Sequence, residues 1–196
     1  MTQIRKIHIR EIETKKTFYE LAAPFAQKEG TVLLLSGGEQ DSAGYNILAA
    51  KPWLGISSKG TKISITEEGE ISEISGNPFD HLQTIITNLS DSYSTAALDD
   101  EKIEILPVSA GLFGYLSYDM KDHIEEISRT TIDDLMLPDL YMISPRLIVV
   151  EDRSSGKITA FAIELDSSDP DNTEHLFTLL DDANQSTYSP GNFTIP

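Results

Sequence analysis

Isoleucines at positions 4, 7, 9 and 12 sit among charged residues, and their β-branching predicts a strand rather than a helix. Phe18, Leu21, Ala22 and Phe25 follow at helical spacing, so a helix is expected from a cap at Thr14 to about Lys28, kinked or broken at Pro24. Thr31–Leu35 is a continuous apolar run of the buried-strand kind, closed by the breaker Ser36-Gly37-Gly38. Strands are then predicted at Tyr45–Ala50, Trp53–Ser58, Thr61–Thr66 and Ile71–Ile74, with Glu68-Gly69 turning the chain between the last two. Connections this short leave no room for crossover helices, so these strands form an antiparallel meander.

Asn77-Pro78 is a helix start, a capping side chain followed by proline at the first position, and Phe79, Leu82, Ile85, Ile86 and Leu89 supply its apolar face. Residues 91–105 are small and polar and are expected to be a loop. Val108–Tyr118 is apolar and glycine-rich, a central strand in which Gly111 and Gly114 suggest close backbone packing or bulges. Leu147–Val150 and Lys157–Leu165 flank a polar turn and predict a hairpin. A last helix is expected over 171–183, followed by a tail, 184–196, with the Ser-Pro-Gly composition of a linker. Strands in groups, with helices between the groups and no βαβ rhythm, define an α+β class: antiparallel, sandwich-like sheets with flanking helices, in one domain over 1–183.

Charge narrows the function. The 196 residues carry a net −17, and the imbalance is uneven: nine bases face six acids in residues 1–62, whereas six bases face 26 acids in residues 63–196. Such a polyanion repels phosphate backbones and anionic lipid surfaces, which argues against nucleic-acid and membrane partners. Cysteine is absent, which removes disulfides, thiolate zinc sites and cysteine nucleophiles together. Without a signal-type apolar segment or a span-length run, a cytoplasmic location is expected.

Candidate chemistry is sparse. His8, His81, His123 and His175 form no HExxH pattern, and Asp119 with His123 supplies too few ligands for a metal. Ser154-Ser155-Gly156-Lys157 matches SxxK but falls in the hairpin turn, where turn chemistry explains it better. The acids Glu125, Glu126, Asp133 and Asp134 lack the glycine and spacing of a calcium loop and read as solvated surface. No catalytic residue and no metal ligand is assigned. Ser36-Gly37-Gly38 has two readings: a plain strand-end turn, or amides and a hydroxyl that receive the carboxylate of a small ligand.

Five segments, in order, carry a resemblance: Val32-Leu33-Leu34-Leu35-Ser36-Gly37-Gly38; Gly44-Tyr45-Asn46-Ile47-Leu48-Ala49-Ala50-Lys51-Pro52; Asn77-Pro78-Phe79; Ala110-Gly111-Leu112-Phe113-Gly114-Tyr115-Leu116-Ser117-Tyr118-Asp119; and Leu137-Pro138-Asp139-Leu140. Together they resemble the N-terminal domain of the large component of chorismate-utilising synthases, para-aminobenzoate (aminodeoxychorismate) synthase and anthranilate synthase. Leu35 stands where the anthranilate branch carries a glutamate, and the Tyr45–Ala50 stretch is closer to the para-aminobenzoate form, so that branch is favoured. The resemblance implies an accessory domain of a chorismate-aminating enzyme of folate biosynthesis. It places magnesium and the catalytic residues in a C-terminal catalytic domain, leaving no cofactor here. A glutamine amidotransferase subunit and that catalytic domain are the implied partners. It also implies a tryptophan pocket at Ser36, Gly37, Tyr45 and Asn46. The rival reading is a free-standing amino-acid-sensing module; a complete small enzyme using surface carboxylates ranks below both.

Overall fold

The structure, a computed structural model, describes residues 1–37, 44–98, 110–125, 133–167 and 171–187. Two long strands organise it: β3 (Tyr45–Lys59) and β8 (Leu140–Asp152) pair antiparallel from Tyr45↔Asp152 to Ser58↔Leu140. Both strands change register at one level, between Pro52 and Leu54, where Lys51 has φ 58 and Pro52 faces Pro145. Proline donates no ladder hydrogen bond, so two prolines opposite one another make a local weak point where the ribbon can bend. The two predicted strands Tyr45–Ala50 and Trp53–Ser58 are therefore one strand with an irregularity in the middle.

Each half of the ribbon gathers its own neighbours. One half takes β2 (Val32–Leu34) on one edge and β9 (Lys157–Leu165), β1 (Ile4–Ile12) and β6 (Ala97–Leu98) on the other. The remaining half takes β4 (Lys62–Glu67) and β5 (Glu70–Ser75) on one edge and β7 (Phe113–Leu116) on the other. Among the described residues all pairings are antiparallel except β1 with β6. The expected α+β class with antiparallel sheets holds, with the sandwich-like character arising from a single nine-stranded sheet in the described residues.

Alternation along the central strands fills two cores. Ile148, Val150, Phe161 and Ile163 point to one side and meet Leu54, Ile56, Ile63 and Leu140 of the other half-sheet, with Leu82, Ile85 and Leu89 of α2 (Pro78–Thr95) closing this cluster. Their neighbours Leu147, Val149, Ala160 and Ala162 point to the opposite side, beneath α1 (Phe18–Ala26) and α3 (Asp171–Gln185). The strands at the centre are buried on both faces, which is why their sequences run apolar without a polar phase.

Several local expectations change. Thr17, not Thr14, caps α1: Glu20 three residues on completes a capping box, while the Thr14 hydroxyl donates to Asn184 Oδ1 at 2.6 Å and ties β1 to α3. Pro24 lies inside α1 without breaking it, and the helix stops at Ala26 rather than Lys28. The run Thr31–Leu35 gives only a three-residue strand, with Leu34 45% and Leu35 39% exposed, because among the described residues β2 pairs only with β3. Helix α2 continues to Thr95, well into the expected loop, and residues 99–105 lie outside the described set. The expected linker covers 184–196: its first two residues finish α3, and 188–196 lie outside the described set.

Val108 and Ser109 lie outside the described residues. The rest of the glycine-rich segment yields four strand residues that, among the described residues, pair with β8 alone and so form an edge rather than a central strand. Its two glycines differ. A Cβ on Gly111 would meet nothing within 4 Å, whereas one on Gly114 (φ 152) would lie 1.9 Å from the Tyr141 carbonyl oxygen. Gly114→Ala should therefore force β7 from β8 and cost at least about 1–3 kcal/mol. Denaturation midpoints of Gly114→Ala and Gly111→Ala check this, the second expected to change stability less. Tyr93, on α2, accepts from the Gly111 N–H at 3.1 Å, and burial pushes its phenol up to about 12. An acid whose folded pKa is raised binds its proton longer folded than unfolded. Its stabilisation is complete below pH 10 and is lost between about pH 10 and 12, on the order of 2 kcal/mol. Tyr93→Phe should flatten that alkaline loss in urea melts across the same window.

Candidate functional site

Pairing of Leu34 with Ile47 carries the chain just beyond β2 alongside the start of β3, and so brings Ser36 against Tyr45 and Asn46. The Ser36 N–H donates to Asn46 Oδ1 at 2.9 Å, and the Ser36 hydroxyl donates to the Tyr45 carbonyl at 2.6 Å. Asn46 is 4% exposed, and its Nδ2 donates to Glu151 Oε2 at 2.6 Å, across the β3–β8 pairing. Three of the four expected site residues thus form one hydrogen-bonded unit. Gly37 lies beside them, exposed, with open space where a side chain would be. Gly38 lies outside the described residues.

The chemistry of this unit is specific. Its buried amide is held between a backbone donor and a carboxylate, which fixes both ends of Asn46. A serine hydroxyl has one proton to give, and Tyr45 takes it, leaving its lone pairs to accept from a ligand ammonium. The Ser36 N–H, given to Asn46 Oδ1, is thereby withdrawn from any ligand carboxylate. Leu34, Leu35 and Tyr45, all exposed, supply apolar surface around these polar groups. The result is a ledge on the sheet edge. A half-open cleft of about 400 Å³ lies elsewhere, at the bend, lined by Trp53, Gly55, Ser57, Thr66 and Tyr141.

Glu151 was not among the residues singled out from the sequence. Its only signal is register: it opposes Asn46 across strands 105 residues apart. The other candidates separate. Asp119 and His123 lie on a 3-10 helix (Tyr118–His123), where three residues per turn place positions four apart on different faces. Asp119 faces Lys121 at 3.7 Å, and the His123 ring meets Phe79 edge-on at 6.4 Å. Ser154 donates to Asp152 Oδ1 at 2.7 Å, and these serine hydrogen bonds hold the Asp152 carboxyl below its usual range. Lys157 pairs with Glu11 at 3.0 Å, so the SxxK match is turn chemistry. Among the described residues, no group of three or more His, Asp or Glu side chains is placed to hold a metal ion; Glu126 lies outside that set.

A second polar unit fixes the segment before β8. Asp139 is 2% exposed and accepts from Lys59 Nζ at 3.0 Å and from the Gly60 N–H at 2.8 Å. Lys59 also donates to the Leu137 carbonyl at 2.7 Å and pairs with Asp133. Hydrogen bonds to Asp133 and then Asp139 push the Lys59 ammonium up from its ordinary value.

No protein-family model matches the chain. It is 29% identical over 172 residues to anthranilate synthase component 1 of Mycolicibacterium smegmatis, covering 81% of this chain and 29% of that protein. Component 1 of Cereibacter sphaeroides is 28% identical over 133 residues (65% of this chain, 25% of that one), and that of Acetivibrio thermocellus 30% over 126 residues (63% and 24%). The crystal structure of anthranilate synthase component I from Streptococcus pneumoniae TIGR4 superposes with a TM-score of 0.50 at 22% identity, covering 84% of this chain and 36% of that chain. The resemblance read from the five segments is thus found again over 63 to 81% of the chain, which is similar to the N-terminal region of anthranilate synthase component 1. It spans 24 to 29% of the length of these three curated relatives.

Removing the buried amide is the direct check on the unit. Asn46→Ala leaves the Ser36 N–H without its acceptor and Glu151 without its donor, and should cost about 1–3 kcal/mol. A lowered thermal midpoint, with a smaller loss in Asn46→Asp at pH values where the introduced acid is protonated, is the expected result.

Proposed function

We propose that the chain is the N-terminal accessory part of a chorismate-aminating synthase of the component 1 type, of the para-aminobenzoate branch, with no catalytic residues of its own. The observation that carries this is the sequence match to component 1 over as much as 81% of the chain, on a fold of the same antiparallel kind. The branch rests on Leu35, which stands where the anthranilate form has a glutamate and presents an apolar, exposed side chain next to Ser36. The same part of an anthranilate synthase is the second reading, favoured by the names of the curated relatives. In either case the ledge at Ser36, Gly37, Tyr45 and Asn46 is the seat for tryptophan. Leu34, Leu35 and Tyr45 take the indole, the Gly37 N–H takes the carboxylate and the Ser36 lone pairs take the ammonium. Because the ledge is open on one side, desolvation of that ligand is incomplete without a second protein surface, so binding by this chain alone is weak. The partners of this reading are a catalytic domain, which would carry the magnesium, and a glutamine amidotransferase subunit.

The test is reconstitution. Residues 1–196 alone, with chorismate, ammonia and magnesium, should give no turnover above a heat-killed control; turnover would overturn the accessory reading. Supplied in trans to the catalytic region of a component 1 and an amidotransferase with glutamine, the chain should restore synthesis, and the product, aminodeoxychorismate or anthranilate, decides the branch. Calorimetric titration of the chain alone with tryptophan should show little heat. Micromolar binding would make it a self-sufficient amino-acid sensor instead.

A further inference from the structure

The cleft of about 400 Å³ at the bend is built on one face of the sheet. Thr66, Gly55 and Ile143 are partners across β4, β3 and β8, and Ser64, Ser57 and Tyr141 form the next rung on the same face. The middle of the first rung is thus a glycine inside a long strand, and nothing in the fold requires one there. The Gly55 backbone is not left-handed. A Cβ built on it would meet the Met142 carbonyl oxygen at 3.8 Å and the Ile143 and Thr66 side chains at 4.0 Å, all ordinary contacts. Glycine in a strand interior is destabilising relative to alanine. Where neither φ nor packing demands it, it marks a place where a ligand approaches the backbone closely.

The walls supply the chemistry. Trp53, the chain's only tryptophan, lines the cleft at 3% exposure, and its indole Nε1 is buried without a hydrogen-bond partner. A buried donor left unpaired is uncommon in a folded protein, and this one belongs to a residue of the cleft wall. Tyr141 is held in place by stacking on Tyr115, with ring centroids 6.1 Å apart. Among the described residues, Glu29 is the one charged side chain that lines the cleft. Burial, and then the Glu29 charge, hold the Tyr141 phenol above its ordinary value, so the carboxylate stands near enough for its field to be felt at the ring. An anion entering this cleft meets a like charge with no cation to offset it, whereas an ammonium meets its counter-ion beside apolar surface.

We infer that this cleft is a binding site for a small organic cation, a primary amine on a flat apolar body, seated over Gly55 with its ammonium at Glu29 and its body against Trp53, Ile143 and Tyr141. Ser64 and Thr66 offer hydroxyls along the β4 side. The net −17 of the chain raises the local concentration of such a ligand. The cleft shares no residue with the ledge at Ser36, Gly37, Tyr45 and Asn46, and it selects the charge opposite to that of a carboxylate substrate. This site therefore goes beyond the proposed function and stands without it.

Trp53 is its own reporter, since no second tryptophan competes with its emission. The probe is phenethylamine, with phenylpropionate as the anion of the same shape. Titrating the purified chain with the amine should change Trp53 emission saturably, with a dissociation constant of about 1 mM or tighter, and the anion should give no saturable change. Gly55→Val fills the cleft and should abolish the response while keeping the wild-type circular dichroism. Glu29→Gln should weaken binding about threefold or more. The inference is overturned by an amine response that does not saturate, by equal binding of phenylpropionate, or by affinity that Glu29→Gln leaves unchanged. Binding that survives in a folded Gly55→Val also overturns it, as diffuse association of a cation with an acidic protein. Glu29 is exposed, so its variant decides the matter even where Gly55→Val does not fold. Failure here leaves the accessory reading and the ledge as they stand.

Discussion

The antiparallel pairing of β3 with β8 is the constraint on which the rest depends. Every sheet neighbour except β5, β6 and β1 pairs directly with one of these two strands, and each of those three reaches the ribbon through β4 or β9. The ribbon changes register at one level, where Lys51 turns left-handed and Pro52 meets Pro145, and its neighbours change at the same level. Leu54 and Ile56 from one half and Ile148 and Val150 from the other lie in one cluster with α2. The gain is burial of apolar area, at roughly 25 cal/mol per Å², against the loss of a few ladder bonds at the prolines.

How much of this was legible follows from the range of each signal. Asn77-Pro78, Glu68-Gly69 and the polar turn after Asp152 are local chemistry, and the helix, hairpin and meander they announce are present. The turn between β4 and β5 shows why such a signal is local: Glu68 and Gly69 both adopt positive φ, 48° and 88°, as a two-residue hairpin turn requires. Reading Thr14 as the cap passed over a local signal that was available, the Thr17–Glu20 spacing. What could not be read locally is partnership. The burial of Leu34 and Leu35 depends on whether a second strand flanks β2, and the continuity of β3 through Pro52 depends on β8 holding both its halves.

The two polar units obey the same division. Ser36, Tyr45 and Asn46 lie within 11 residues of one another and were recognisable as a motif, yet the group that fixes Asn46 is Glu151, fixed by register alone. Likewise Leu137-Pro138-Asp139-Leu140 was visible as a segment, while the function of Asp139 as the pin for Lys59 and Gly60 depends on β3 ending where β8 begins. In both units a buried side chain joins the same two strands, one near each end of the ribbon. Both are therefore consequences of one pairing, and a shift of β3 against β8 by a single residue would dissolve them together.

Net charge and apolar display act at different stages of an encounter. The buried acids do not contribute as free charges: Asp139 is held by Lys59, and Glu164, 5% exposed, by His8 at 2.7 Å and Arg5 at 3.2 Å. What a partner feels at a distance is the exposed excess, and that field fades over about 8 Å at physiological salt. It can raise the rate of approach and set orientation, but it adds little to the lifetime of a complex once surfaces touch. Lifetime comes from desolvated apolar contact, and the large apolar side chains exposed among the described residues are spread over several elements, Tyr19 on α1, Ile71 on β5 and Ile86 on α2 among them.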